Sequence, residues 1–178
     1  MSTFEFIFVF ISIIFGLGLA HLLTNAMTHV FQRKISYERA AYLLFMTTLL
    51  LVQWWTLSRW RDFDNWTFEA FAIMALWALM LFAMPVALYP PNEEVGPEIK
   101  HRRTLFVLFL LNGTLEIAQT AILGKLFEPW YYLIFMGQYY VVTFFAMTSN
   151  SPRVHKAIAT YLAASLILWV FVVRRFLA

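Results

Sequence analysis

Six stretches of this chain are close to the roughly 17–25 residues that an α-helix needs to cross a bilayer. That feature leaves few architectures open. The stretches run over 4–31, 40–57, 67–88, 104–126, 131–147 and 154–173. In hydrocarbon every backbone N–H and C=O must be satisfied within the protein, which a helix does segment by segment. Composition agrees: 62% of the residues are hydrophobic and 13% are charged, against about 25% charged in a soluble domain. The expected fold is an all-α integral membrane protein, a six-transmembrane-helix bundle. The first span is long enough to tilt. The fifth is the shortest and carries Gln138 and Thr143, which leaves five spans as the alternative count.

Lys and Arg in the short loops set the orientation of such a bundle. The 1–2, 3–4 and 5–6 connections hold Arg33, Lys34, Arg39, Lys100, Arg102, Arg103, Arg153 and Lys156. The other side holds Arg59, Arg61, Lys125, Arg174 and Arg175. Eight against five places both termini outside the cytoplasm. The pI of about 9.3 therefore reflects topology, and no nucleic acid partner is expected. Membrane lipids are, and anionic lipid accounts for the basic end of the polar linker 90–103, which changes sign from Glu93, Glu94 and Glu98 to Lys100–Arg103. Trp54, Trp55, Trp60 and Trp66, with Trp130, Tyr131 and Tyr132, read as interface belts. Tyr42–Met46 recurs in kind as Tyr132–Met136, at an offset of 90 that also pairs Trp54-Trp55 with Phe144-Phe145. That hints at a first three-helix unit (1–89) and a second (104–178), related as a 3+3 inverted repeat of the kind seen in transporters.

Polar residues inside the spans carry what functional signal there is. At about 100° per residue, Gly18, His21, Thr24, Asn25, Thr28 and His29 share one arc of the first span. The opposite face includes Leu22 and Ala26, so the polar arc should point inward. Gly16 and Ala20 beside it form a small-xxx-small pattern, which permits close helix approach. The fourth span repeats the pattern with Asn112, Gly113, Glu116, Gln119 and Thr120. Glu116 lies near mid-span, where a charge costs about 2.5–3.5 kcal/mol on insertion scales. His21 is its expected partner, since imidazole can donate or accept. Gln53 and Gln138 extend a secondary polar path. Pro85 should kink the third helix or end it early, because it leaves the Leu81 carbonyl unpaired. Asp62 and Asp64 with Arg59 and Arg61 read as a solvated turn with local ion pairs.

Three readings of the polar cluster stay open: a hydrogen-bonded core that orients helices, a proton- or ion-coupled site, and a metal or haem site. Against the last, both intramembrane histidines lie on one span, and His101 and His155 fall in loops. The chain has no cysteine, which removes disulfides, thiolate metal sites and Cys nucleophiles. No H-E-x-x-H, G-x-S-x-G, P-loop or G-x-G-x-x-G motif occurs. No catalytic residue, metal or cofactor is expected. MSTFEF lacks a basic n-region, so no cleaved signal peptide is expected either.

The segments GLGLAHLL and WTFEAF…MPVALYPP resemble small multi-pass bacterial inner-membrane proteins with no known activity. The resemblance covers the N-terminal half and implies an inner (plasma) membrane location. The functional expectation is a channel or an ion- or proton-coupled transporter with a polar intramembrane site. The alternatives are a non-transporting accessory or scaffold subunit of a membrane complex, and a membrane-embedded enzyme acting on lipid. The expected protein partner is a second copy of the chain or another membrane protein.

Overall fold

The structure is a computed structural model and describes residues 3–32, 35–91, 99 and 101–172, with the backbone alone at Val172. Arg33, Lys34, Lys100, Arg174 and Arg175, and the linker acids Glu93, Glu94 and Glu98, lie outside the described residues. Within them the fold is all-helical: α1 Thr3–Phe31, α2 Tyr37–Thr56 with a following 3₁₀ turn Leu57–Trp60, α3 Phe68–Leu88, α4 Arg102–Ile122, α5 Tyr132–Thr148 and α6 Pro152–Val172. Five of these helices are long and apolar enough to cross a membrane. The exception is α5, with 17 residues.

Local chemistry explains most of the boundaries. Ser36 caps α2 by accepting from the Arg39 N–H at 3.3 Å, and Thr67 caps α3 by accepting from Ala70 at 3.3 Å. The second helix therefore starts at Tyr37, a turn before the expected Ala40, and takes Glu38 and Arg39 into its first turn. The fourth helix ends at Ile122 instead of the expected Leu126. Gly124 adopts φ +69°, and the Gly124 and Lys125 N–H groups bond back to the carbonyls of Ala121 and Thr120. Glycine takes that left-handed conformation without a Cβ clash, and the paired bonds close the helix. Pro85 does not end α3, which continues to Leu88; the Tyr89 N–H reaches the Pro85 carbonyl at 2.9 Å. So close to a helix end the ring removes one bond, and membrane helices tolerate such a loss. His155 belongs to the first turn of α6, where it is buried, and not to a loop.

Side-chain pairs give the helix directions. Phe10 meets Phe71, Phe15 meets Trp77 and Gly18 meets Phe82, so α1 and α3 run parallel. Glu38 with Arg102, Tyr42 with Phe106 and Phe45 with Phe109 share one sequence offset of 64, so α2 and α4 also run parallel. Phe135 meets Trp169 and Tyr139 meets Ser165, so α5 is antiparallel to α6. The side on which α1 begins is called the near face, and the side on which it ends the far face. The closest backbone packing is α3 on α4, α2 on α6 and α1 on α3. Backbones of α2 and α4 stay further apart, bridged by their aromatic rings. The packing does not show the duplication: α1 lies along α3, but among the described residues α4 has no comparable contact with α6.

The inward stripe of α1 is Ile7, Ile11, Phe15, Gly18, Leu22, Ala26 and His29, three or four residues apart. Gly18 and His29 of the expected arc lie in this stripe, and the rest of the arc is corrected. Leu22 and Ala26 are buried, His21 and Asn25 are half-buried at the edge of the stripe, and Thr24 and Thr28 are exposed. Lipid tails are as apolar as leucine, so apolarity does not decide which face packs. Closeness does. A Cβ on Gly18 would stand 3.5 Å from the Phe82 Cα, while one on Gly16 would meet nothing within 4 Å among the described residues. Gly18, and not the exposed Gly16 and Ala20, is the contact that lets α1 approach α3. Of the aromatic belt, Trp54, Trp55 and Trp130 are exposed, whereas Trp60 is buried against Phe63 and Trp66 beneath the near face.

Candidate functional site

On α4 the expected polar face is the buried one: Asn112, Glu116, Gln119 and Thr120 are all under 5% exposed. Thr120 donates to the Glu116 carbonyl at 2.9 Å, and Asn112 donates to the Trp77 carbonyl at 3.4 Å. Gly113 leaves room for the Tyr140 ring, whose hydroxyl would lie 3.4 Å from an added Cβ.

The partner of Glu116 is Arg59, not His21. Arg59 Nη2 donates to Glu116 Oε1 at 2.8 Å, with side-chain exposures of 19% and 6%. In the α2–α4 register Glu116 is level with Val52. Arg59 stands roughly two turns beyond, on the 3₁₀ turn, and its long side chain runs back to the carboxylate. Depth is the reason His21 fails. At 1.5 Å per residue, Glu116 lies about 9 Å from the near end of α4, and His21 about 27 Å from the near end of α1. His21 Nε2 instead donates to the Tyr89 carbonyl at the far face, 2.8 Å away. Nor is the 59–64 segment a turn of local ion pairs only, since Arg59 leaves it for the bundle. Sequence reasoning overlooked Arg59, yet a signal was present. In an alternating bundle the second and fourth helices end at the same face, and Arg59 is the first cation past the second.

Glu116 opens onto a cavity of about 70 Å³ between α2, α4, α5 and α6. The wide α2–α4 spacing creates it. Asn112, Gly113 and Gln53 share its wall with the aromatic side chains of Phe45, Phe109, Tyr132, Tyr139 and Trp169. Glu116 Oε2 is buried with no hydrogen-bond partner among the described residues, and so is Gln119 Nε2. Gln53 joins this site and accepts from Thr56 Oγ1 at 3.2 Å. Gln138 does not join it: it accepts from the Tyr161 hydroxyl beside a separate groove between α5 and α6.

The polar residues of α1 are not brought to Glu116. Asn25 Nδ2 donates to the His21 carbonyl at 2.8 Å, and Thr28 Oγ1 to the Thr24 carbonyl at 3.0 Å. Bonds to a helix's own carbonyls satisfy such groups in place. A second polar cluster closes the far face. Arg102 holds Glu38 through two bonds of 2.9 Å. Arg39 Nη1 lies 3.0 Å from His29 Nε2, and its guanidinium sits 5.3 Å from the centre of the Tyr89 ring. Burial pushes the Tyr89 phenol up to about 12, against the lowering by Arg39. His155 donates to the Ser149 carbonyl at 2.9 Å and stacks on Phe106. Among the described residues, no group of three His, Asp or Glu side chains gathers as a metal site would need.

In comparisons with known proteins, no protein family, curated protein or solved structure matches this chain.

Proposed function

We propose that the protein is an ion- or proton-coupled membrane transporter that works at Glu116. One observation carries this reading. A buried carboxylate faces a cavity with one oxygen held by Arg59 and the other unpartnered. A bare carboxylate at this depth is costly, so the empty site keeps Arg59 as an internal cation. An incoming cation or proton neutralises the same carboxylate and frees Arg59 toward the near face. The charge of Glu116 is then met in both states, and exchange of the two partners couples binding to movement of α2 relative to α4.

We count α5 as the sixth crossing, since it runs antiparallel to α6 and its 17 residues span about 26 Å of a hydrocarbon core of about 30 Å. With the basic bias read as cytoplasmic, the near face and Arg59 open to the outside of an inner membrane. The test is flux in proteoliposomes. Wild type should dissipate an imposed pH or cation gradient, and Glu116→Gln should not. Equal, pH-independent flux from both proteins would refute the role of Glu116.

A further inference from the structure

The cavity beside Glu116 is small and its wall carries oxygens. A volume of about 70 Å³ is that of roughly two waters, at about 30 Å³ each in the liquid. Among the described residues that line it, Glu116 is the only carboxylate. Arg59 is not in that wall and takes Oε1, while Oε2 has no hydrogen-bond partner among the described residues.

Two neutral oxygens belong to the same site. Asn112 lies one turn before Glu116 on α4, on the same face, and lines the cavity with it. Its Nδ2 donates to the Trp77 carbonyl, which leaves Oδ1 as the end able to accept. Gln53 lines the cavity from α2. In the α2–α4 register it is level with Ile117, the residue after Glu116. Its Oε1 accepts from Thr56 Oγ1, and an amide oxygen has a second lone pair to offer. The hydroxyls of Tyr132, Tyr139 and Tyr140 are already engaged with Thr120, Ser165 and Thr114.

Charge, ligand type and room then choose among cations. Zn²⁺ takes its ligands chiefly from Cys and His, and neither lines this cavity. A divalent ion beside one carboxylate would also keep a net positive charge inside the bundle. Mg²⁺ holds on to several waters of its own, more than this space admits. A monovalent ion is matched by Glu116 alone. A proton is matched too, but on Oε2 it needs a single acceptor and uses neither the second amide nor the space.

We infer that the ion exchanged against Arg59 is an alkali-metal cation, Na⁺ or K⁺, stripped of most of its water and held by Glu116 Oε2, Asn112 Oδ1 and Gln53 Oε1. The inference rests on the reading of Glu116 as the exchange site and adds the ligand class and the two amides. With Arg59 in place the carboxylate is already neutralised. A second cation there would leave one buried charge over, so the ion and Arg59 exclude each other.

The test is equilibrium binding of radiolabelled Na⁺, and of radiolabelled Rb⁺ in place of K⁺, to the protein in lipid nanodiscs at fixed pH. Ionic strength is held constant with choline, which is too large for the cavity. Wild type should bind one of the labels saturably, and unlabelled Na⁺ or K⁺ should displace it while choline and Mg²⁺ do not. Glu116→Gln, Gln53→Leu and Asn112→Leu should each bind about tenfold more weakly or worse. The two amide variants are read separately, so that a folding failure in one leaves the other. No saturable binding by wild type, or displacement by choline or Mg²⁺, overturns the ligand class. Binding unchanged in both amide variants overturns the ligand set. Proteoliposome flux separates this inference from the reading beneath it. If Glu116-dependent flux follows a pH gradient while no alkali cation binds, the transporter reading stands and the proton is the ion. If alkali binding depends on Glu116 and no gradient is dissipated, the site stands and the transporter reading falls.

Discussion

Arg59→Gln is the change that most directly probes the site. Glutamine keeps a donor at the position but removes the charge, and the Glu116 carboxylate is left bare against an apolar cavity. Leaving one partner of a buried ion pair uncompensated costs roughly 3–5 kcal/mol. At about 2–4 °C per kcal/mol for a chain of this length, Tm should fall by about 10 °C. Arg59→Gln with Glu116→Gln removes both charges and should recover most of the loss. Differential scanning fluorimetry on the seven tryptophans reads both. Arg59→Gln as stable as wild type, or a double variant as unstable as the sum of the single ones, would refute the account of Glu116 as a buried charge neutralised by Arg59.

Two further outcomes test the packing. Gly124→Ala forces a Cβ into the left-handed region and should cost about 1–2 kcal/mol, with Gly124→Asn milder; thermal unfolding in detergent compares them. Gly18→Leu should wedge α1 from α3 and cost about 1–3 kcal/mol, whereas Gly16→Leu, in open space, should unfold with wild type.

The polar face of α4 was legible in the sequence for a specific reason. The carboxylate of Glu116 and the amide of Asn112 take partners on other elements, Arg59 and the Trp77 carbonyl, and burial is what brings those within reach. The same arc on α1 misled. Thr28 and Asn25 bond to carbonyls of their own helix, and such side chains place no demand on neighbours. The inward stripe of α1 instead follows Gly18 and the shapes around it, which hydropathy does not register. Gly124 was a visible stop signal, overridden by counting apolar residues past it. Arg59 and His21 show what a residue's angle around a helix omits, namely its depth. Counting from the face at which each helix ends would have paired Arg59 with Glu116 and sent His21 to the opposite face.

The constant offset between α2 and α4 bears on which changes of length the chain can accept. Glu38–Arg102, Tyr42–Phe106 and Phe45–Phe109 mesh at three levels. A single residue inserted in α2 between Tyr42 and Phe45 turns everything after it by about 100°. It would put the Phe45–Phe109 contact and the cavity wall out of phase while leaving Glu38–Arg102 in place. The same residue added between Asp62 and Asn65 shifts no helix against another. Deletions and insertions should therefore be accepted in the short near-face connection and rejected within α2, however apolar the added residue is.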